Sequence, residues 1–462
     1  MLKQSGRLLQ VRCGTAAWPI AQIEHAPVGP ARVEDAQGRV IDGSGGGRSR
    51  SLSRKQQVRS AALKSFCEPF PGQCEPLREL SPGEWKKLLR WLDLSGLALQ
   101  FFDRVAELRL EELLPEPVYA RLRQNLQDNA VRTSDILVES TAIHQEFQRE
   151  GIQHALLKGV SFWPNSVAKS ELRLQFDIDF LVSEDCAEGA RDILLRRGYR
   201  LYSATRTCLE FKRNEKPGLT LQETYRHTGS WAVEIHVECH SPAGTSVLDR
   251  VERRDFNGHN MPVLSPVDLF LRQGLHAYKH ICGEFTRASH LVEYRHHVLT
   301  RAGDGDFWDA LRAAASGNEF AAIALGVVTL LISRSMGEFA PDALTAWTVD
   351  CLPRTARLWV ETYGDRVVLG DVPGSKLYLL LQKSVHIQGA PVRRRTWRSL
   401  VPLSCPPQAI LARSDDPLPV RLGRYRMQLN FIGTRLRFHI VEGLRFGWEL
   451  RRWRRQIRRL AT

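Results

Sequence analysis

Apolar residues recur at helical spacing in two stretches of the chain, and a shorter stretch with a different pattern lies between them. In the first, residues 81–84 (SPGE) have the spacing of a capping box with proline at the first helical position, which predicts a helix start. A long helix is predicted over residues 118–150, ended by Gly151. In the second, a capped start at Ser265 predicts a return to helix through about Ser335.

The central stretch has the period of β-strands. Residues 176–182 (FDIDFLV) alternate between two faces, and a short apolar run at 152–157 precedes them. Ser183 is predicted to cap a helix that ends at Gly198. Further strands are predicted at residues 208–212, 219–222 and 231–239. Together these elements predict a compact unit of strands and helices.

The two ends of the chain differ in character. Residues 1–60 lack sustained periodicity and contain the linker-like run GSGGGRSR, so we expect a poorly folded extension. Strands are predicted within residues 429–440, and an apolar stripe on a terminal helix is formed by Phe446, Leu450, Trp453, Ile457 and Leu460. The predicted divisions are the extension at 1–60, a helical lead-in at 61–150, the core at 151–245, a helical region at 246–373 and a basic C-terminal region at 374–462.

Composition is typical of a soluble globular protein, with 43% hydrophobic and 25% charged residues in 462. No run reaches the ~18 apolar residues that a membrane-spanning helix needs, and the nearest, residues 320–332, is interpreted as a buried core helix. The N-terminus has no apolar signal-peptide core, so export is not expected. Nine cysteines without a CxxC pair favour reduced thiols in a cytoplasm.

Positive charge is concentrated near the C-terminus. The formal net charge is +14, and residues 421–462 contain twelve arginines and two glutamates. Such a segment favours an anionic partner, which could be nucleic acid, nucleotide or a lipid headgroup, although a solvated helix face accounts for it equally well. The apolar stripe suits a membrane surface, but docking onto the protein's own core is the expected arrangement.

Two carboxylates dominate the candidate chemistry. Asp177 and Asp179 share one face of the predicted strand, while Ile178 and Phe180 point into the core. Carboxylates this close repel each other unless a cation lies between them. Hard oxygen ligands on a rigid strand suit Mg²⁺ that is bridged to nucleotide phosphates, although such pairs also occur as solvated edge positions.

A second group of residues could hold a triphosphate. Lys158, Gly159 and Ser161 lie at a predicted strand-to-helix turn, where glycine lets backbone N–H groups approach phosphates and a helix N-terminus favours their charge. Lys158 would supply a cation and Ser161 a hydroxyl donor. Arg173 lies four residues before Asp177 and could reach the phosphates. An ordinary turn and a surface arginine are the plain structural alternatives.

Residues 233–240 (VEIHVECH) carry only Glu and His on one face: Glu234, His236, Glu238 and His240. Glu234 could supply a third carboxylate to the metals, and His236 could orient it or help deprotonate an acceptor hydroxyl. Zinc binding by His236, Glu238 and His240 is the less favoured alternative, because side chains spaced about 7 Å apart along a strand would have to converge.

Together these motifs resemble the uncharacterised bacterial nucleotidyltransferase family of the DNA polymerase β superfamily. The matching pieces are LLKG at 156–159, Arg173, DIDFLV at 177–182, Gly198-Tyr199 and Glu234-Ile235-His236. The resemblance implies an α+β fold, in which a nucleotidyltransferase core with a mixed β-sheet is flanked by N- and C-terminal helical regions. It also implies two Mg²⁺ ions on three carboxylates. Glu234 departs from the family's usual Asp, and Val160 stands where the wider superfamily favours a small residue.

The resulting hypothesis is a metal-dependent nucleotidyltransferase that moves a nucleoside monophosphate from an NTP to an unknown small-molecule, protein or RNA acceptor, using Mg²⁺ or Mn²⁺. Asp177, Asp179 and Glu234 would hold the metal. His276, Lys279 and His280 share a helical face. The resemblance makes them candidates for lining the acceptor side, and ordinary core or surface histidines are the favoured alternative. The alternatives are an inactive nucleotide- or partner-binding module and a basic protein that binds nucleic acid or a membrane surface.

Overall fold

The structure, a computed structural model, describes residues 52–67, 72–213, 224–226, 231–238, 246–385, 399–400, 411–412, 414 and 416–461. N-terminal to and within the sheet region, the helices are α1 (Arg54–Lys64), α2 (Pro82–Ser95), α3 (Ala98–Glu107), α4 (Glu116–Arg149) and α5 (Ala187–Arg196). After it come α6 (Pro266–Ile281), α7 (Ala288–Thr300), α8 (Gly305–Ala315), α9 (Glu319–Met336), α10 (Asp342–Thr345), α11 (Arg354–Val368), α12 (Tyr378–Ser384) and α13 (Leu418–Ala461).

Seven strands form one mixed sheet. They are β1 (His154–Leu156), β2 (Asp177–Ser183), β3 (Arg200–Ala204), β4 (Cys208–Lys212), β5 (Ala232–Glu238), β6 (Glu252–Phe256) and β7 (His259–Val263). Their order across the sheet is β3-β4-β5-β2-β1-β7-β6. The pairs β2–β5 and β1–β7 are parallel, and the other neighbours are antiparallel. The predicted fold class, a mixed sheet flanked by helical regions, is confirmed.

Strand β2 lies at the centre of the sheet, and its alternation sets which face carries the chemistry. Ile178 and Phe180 are 1% and 0% exposed and pack in an apolar cluster with residues of α4 and α5. Burying side chains of this size stabilises a fold by about 1.5–3 kcal/mol each. Asp177 and Asp179 therefore lie on the opposite face, as predicted.

The helical regions share a second apolar cluster that also covers part of the sheet. At its centre, α9 packs against α6 and α11. Helix α9 is long and apolar enough to cross a membrane by length and composition alone, but 67% of it is buried inside the protein. Such burial is typical of the core helix of a soluble fold, which is the interpretation given to residues 320–332.

The prediction of strands within residues 429–440 is wrong, because α13 is helical through that stretch. The apolar residues Leu429, Ile432, Leu436 and Ile440 are spaced by three or four positions, which is the period of a helix, and all of them are exposed. Further along α13, Phe446 and Trp453 are buried, and Leu450 and Ile457 pack against the core. The docking of the terminal stripe onto the protein is thus observed for these four residues, whereas Leu460 is 37% exposed.

Three other boundaries differ from the predictions. Helix α1 begins inside the predicted extension, because Ser53 and Gln56 form a capping box and residues 61–63 are buried. Helix α5 begins at Ala187 rather than after Ser183, because Ser183 still belongs to the β2–β5 ladder. The sheet also extends past residue 245 into β6 and β7. The strand predicted at 219–222 and residues 1–51 lie outside the described residues.

Candidate active site

Strands β2 and β5 bring three carboxylates together. Asp179 is the register partner of Glu234 across the parallel pair, and Asp177 shares the face of Asp179. Oxygen atoms from all three side chains lie within 4.8 Å of one another. Neighbouring parallel strands run about 4.8 Å apart, so this closeness follows directly from the register.

A lysine and a histidine side chain contact this carboxylate group. Lys158, two residues beyond β1, places Nζ 2.7 Å from Oδ1 of Asp179. Nε2 of His236 lies 2.9 Å from the same Oδ1 and 3.1 Å from Oε2 of Glu234. The prediction that His236 orients Glu234 therefore has a matching contact, and the same ring also contacts Asp179.

Burial and mutual repulsion shape the electrostatics of the carboxylates. Desolvation, followed by the neighbouring Asp179 charge, raises the pKa of Asp177 to about 6. Desolvation also opposes ionisation of Asp179, but Lys158 and His236 outweigh it and hold the pKa of Asp179 below its ordinary value. Against the effect of burial, the carboxylates raise the pKa of Lys158 and of His236. The site thus holds an excess of negative charge that is only partly neutralised by its own residues.

The turn after β1 is tighter than predicted. Instead of a regular helix, residues Gly159–Phe162 form a short 3₁₀ turn. Gly159 has φ +70°, and a Cβ there would lie 2.3 Å from Nε2 of Gln175. That amide in turn donates to the Asp177 carbonyl oxygen at 2.6 Å. Only glycine lets Gln175 approach closely enough to brace both the turn and the start of β2.

The hydroxyl of Ser161 forms a hydrogen bond within this turn. It is fully buried, and its hydroxyl donates to the Lys158 carbonyl oxygen at 3.3 Å. The carbonyl oxygen of Ser161 accepts from Arg254 at 2.8 Å. Val160 is buried in the apolar cluster that also contains Ile178 and Phe180. A contact of Ser161 with phosphate stays a prediction.

Arg173 is not a surface residue. Its side chain is 15% exposed, and its Nε donates to Glu293 of α7 at 3.2 Å. Its charge also lowers the pKa of Asp177, although burial and Asp179 have the larger, opposite effect. Next to it, Arg132 and Arg287 lie over the two-thirds-buried ring of Phe176 at 5.4 and 5.6 Å. All three guanidinium groups interact electrostatically with Asp177.

Two residues of the alternative zinc set on β5, His236 and Glu238, are described. Glu238 accepts hydrogen bonds from the Ser246 hydroxyl and the Val247 backbone N–H, so its carboxylate is occupied away from His236. His240 lies outside the described residues. A different set, Cys208 with Glu234 and His236, does have its ligand atoms within 4.8 Å. Burial raises the pKa of the Cys208 thiol to about 12, so this thiol would have to release its proton when zinc binds.

The two histidines of α6 and the lysine predicted to share their face point in different directions. His276 and His280 face His290 of α7, with ligand nitrogens of all three within 4.8 Å, whereas Lys279 is exposed. The shared helical face that was predicted for the three α6 residues therefore divides into a partly buried histidine cluster and an outward lysine.

Comparison with known proteins adds a family. The model of a family described as uncharacterised nucleotidyltransferase matches residues 81–332, which is more than half of the chain. The chain belongs to this family. A similar solved structure is the crystal structure of an antigenic nucleotidyltransferase-like protein from Paracoccidioides brasiliensis, with 14% identity, 46% of this chain and 97% of that chain covered, and a TM-score of 0.28. A likeness this distant says nothing further about function. No curated protein matches the chain.

The donor set of this family member fits a divalent cation. Three carboxylates supply hard oxygen ligands from two neighbouring strands, and such ligands are the ones that Mg²⁺ and Mn²⁺ prefer. All three residues, Lys158 and Arg173 fall inside the family match. Arg287, Glu293 and Gln175 complete the surroundings, but nothing in their local sequence pattern points to the site.

Proposed function

We propose that the protein is a metal-dependent nucleotidyltransferase that moves a nucleoside monophosphate from an NTP to an acceptor. The observation that supports it most is the group of three carboxylates on β2 and β5, within a chain of the nucleotidyltransferase family. Asp177, Asp179 and Glu234 would hold Mg²⁺ or Mn²⁺. Bound there, the ions would activate the acceptor oxygen and neutralise the pyrophosphate leaving group. We further propose a cytoplasmic location and membership of the DNA polymerase β superfamily.

The protein's own residues would bind and orient the triphosphate. Lys158 lies at the edge of the carboxylate group, where its ammonium can contact phosphate oxygens once a metal takes over its partner Asp179. The backbone around Gly159 and the buried Arg173 would fix the remaining phosphates, with Ser161 as a further donor. His236 is placed to keep Glu234 in position and to accept a proton from an acceptor hydroxyl.

The experiment is pyrophosphate release from each common NTP with Mg²⁺ or Mn²⁺, in the presence of a cell extract as the source of acceptor. Wild type is compared with Asp177→Asn and Asp179→Asn, and with Asp192→Asn as a control on the exposed side of α5. A metal ligand contributes several kcal/mol of charge stabilisation, so each active-site variant should lose more than about 100-fold in rate. The Asp192 variant should match wild type.

Release that persists unchanged in both active-site variants would refute the assignment. Absence of release in wild type, together with metal-dependent NTP binding in a thermal-shift assay, would instead favour a nucleotide-binding module without catalysis. Where wild type does release pyrophosphate, adding the extract in fractions identifies the acceptor, because only the fraction that contains it supports release.

A further inference from the structure

Three histidines outside the carboxylate group form a compact cluster between α6 and α7. His276 and His280 are one turn apart on α6, and His290 lies in the first turn of α7. Their ring centroids are 4.5 Å apart for His276–His280, 5.0 Å for His276–His290 and 4.5 Å for His280–His290. One ring nitrogen from each lies within 4.8 Å of the other two, which makes the three rings a group that could hold a single ion.

The orientation of His280 is fixed from outside the cluster. Its Nδ1 lies 2.9 Å from the Phe285 carbonyl oxygen, which can only accept, so Nδ1 carries the proton. The Nε2 lone pair is therefore available. The Thr286 hydroxyl donates to the His280 carbonyl oxygen at 3.0 Å and anchors the same loop. A backbone carbonyl that holds the outer nitrogen of an imidazole is a recurring feature of metal-binding histidines, because it sets both tautomer and ring direction.

His290 is buried more completely than its hydrogen bonding explains. It is 7% exposed, and its Nδ1 is buried without a hydrogen-bond partner among the described residues. A buried polar atom left unpaired is unfavourable, and native structures rarely keep one without a ligand, water or ion to satisfy it. An ion bound at the cluster would give the buried His290 ring a polar partner.

We propose that His276, His280 and His290 bind one Zn²⁺ ion that links α6 to α7. Neutral imidazole suits zinc, and three histidine ligands with a fourth position left for water or a substrate group are a known zinc arrangement. The carboxylate group offers only hard oxygen ligands, which suit Mg²⁺ better, so the two sites select different metals. This inference does not depend on the proposed transferase activity.

The test uses tag-free full-length protein, stripped with a chelator and titrated with Zn²⁺, followed by metal analysis after gel filtration. Titration with Co²⁺ supplies an absorption spectrum that reports coordination by nitrogen ligands. Wild type should bind one equivalent of zinc at the cluster. Loss of a residue that only hydrogen-bonds to a metal ligand weakens metal binding by roughly 10- to 100-fold. His290→Ala removes a ligand itself and should weaken zinc binding by more than that. His276→Gln, at a half-buried position, gives the same test if His290→Ala fails to fold.

His296→Ala is the matched control, because His296 lies on the same helix α7 but outside the cluster. It should bind zinc as wild type does. The proposal is overturned if wild type binds no zinc, or if the zinc persists in both cluster variants. Zinc that disappears in Cys208→Ser but not in His290→Ala would locate the ion at the other candidate set and would overturn it as well.

Discussion

Replacing Asp177 with asparagine should stabilise the metal-free protein. The carboxylate of Asp177 is held beside Asp179 in a desolvated position, and its charge is unfavourable there until a cation is bound. An asparagine side chain would keep the shape of the aspartate and remove that charge. A gain in stability from changing a site residue is the opposite of what a structural aspartate would give.

The size of the effect follows from the pKa. The pKa of Asp177 is about 6 in the folded protein and 3.8 in the reference state. The folded state therefore holds this proton more tightly, and stability falls as pH rises between those two values. Above pH 6 the loss reaches at most about 3 kcal/mol, since each pKa unit corresponds to about 1.4 kcal/mol. The opposing charge of Lys158 already acts in that pKa. The expected gain for the variant at pH 7.5 is roughly 1–3 kcal/mol.

The assay is urea denaturation with a chelator at pH 7.5 and at pH 5, comparing wild type with Asp177→Asn and with Asp192→Asn. The Asp177 variant should be more stable at pH 7.5, with about half of the difference remaining at pH 5. The exposed Asp192 control should stay within about 0.5 kcal/mol of wild type. Adding Mg²⁺ should stabilise wild type and not the Asp177 variant. A variant that is less stable than wild type at pH 7.5 would show that the carboxylate is favourably paired and would refute the reasoning.

Three further predictions concern the frame around the site. Trp453 is 2% exposed and its ring lies 5.8 Å from that of Tyr363, so Trp453→Ala should cost about 3–5 kcal/mol in urea denaturation. Burial lowers the pKa of His154 to about 4, so on acidification the unfolded state takes up this proton before the folded state does. The free energy of unfolding should therefore decrease as the pH is lowered from 6.5 to 4, and it should decrease less in His154→Gln. Glu293→Ala leaves the buried Arg173 unpaired and should cost about 3–5 kcal/mol, measured the same way.

The elements that could be predicted from sequence are those in which local pattern and tertiary packing agree. The capping box at Ser81 and the capped start at Ser265 both begin helices in the structure. The alternation of β2 placed Asp177 and Asp179 on one face, and that of β5 did the same for Glu234 and His236. For both strands, the alternation arises because one face of the strand is buried.

The rest required long-range contacts. Gln175 braces Gly159 and β2 through an amide contact that no local spacing signals. Glu293 lies on α7, far along the chain from its partner Arg173. In the C-terminal region, the apolar and β-branched residues between 429 and 440 suggested strands, but their spacing already followed a helix. Helical periodicity is the stronger signal for such a segment.

Register connects the fold to the chemistry of the site. Leu156 pairs with Phe180, and the Leu157 backbone N–H donates to the Asp179 carbonyl oxygen at 3.0 Å, so Lys158 emerges next to the Asp179 side chain. A slip of one residue between β1 and β2 would turn Asp179 into the apolar cluster and Phe180 out of it. The burial of Phe180 therefore fixes the position of the carboxylate as firmly as any contact the carboxylate makes. Mutations that loosen this core should therefore shift the strand register, and with it the position of Asp179, before they change any direct contact with a ligand.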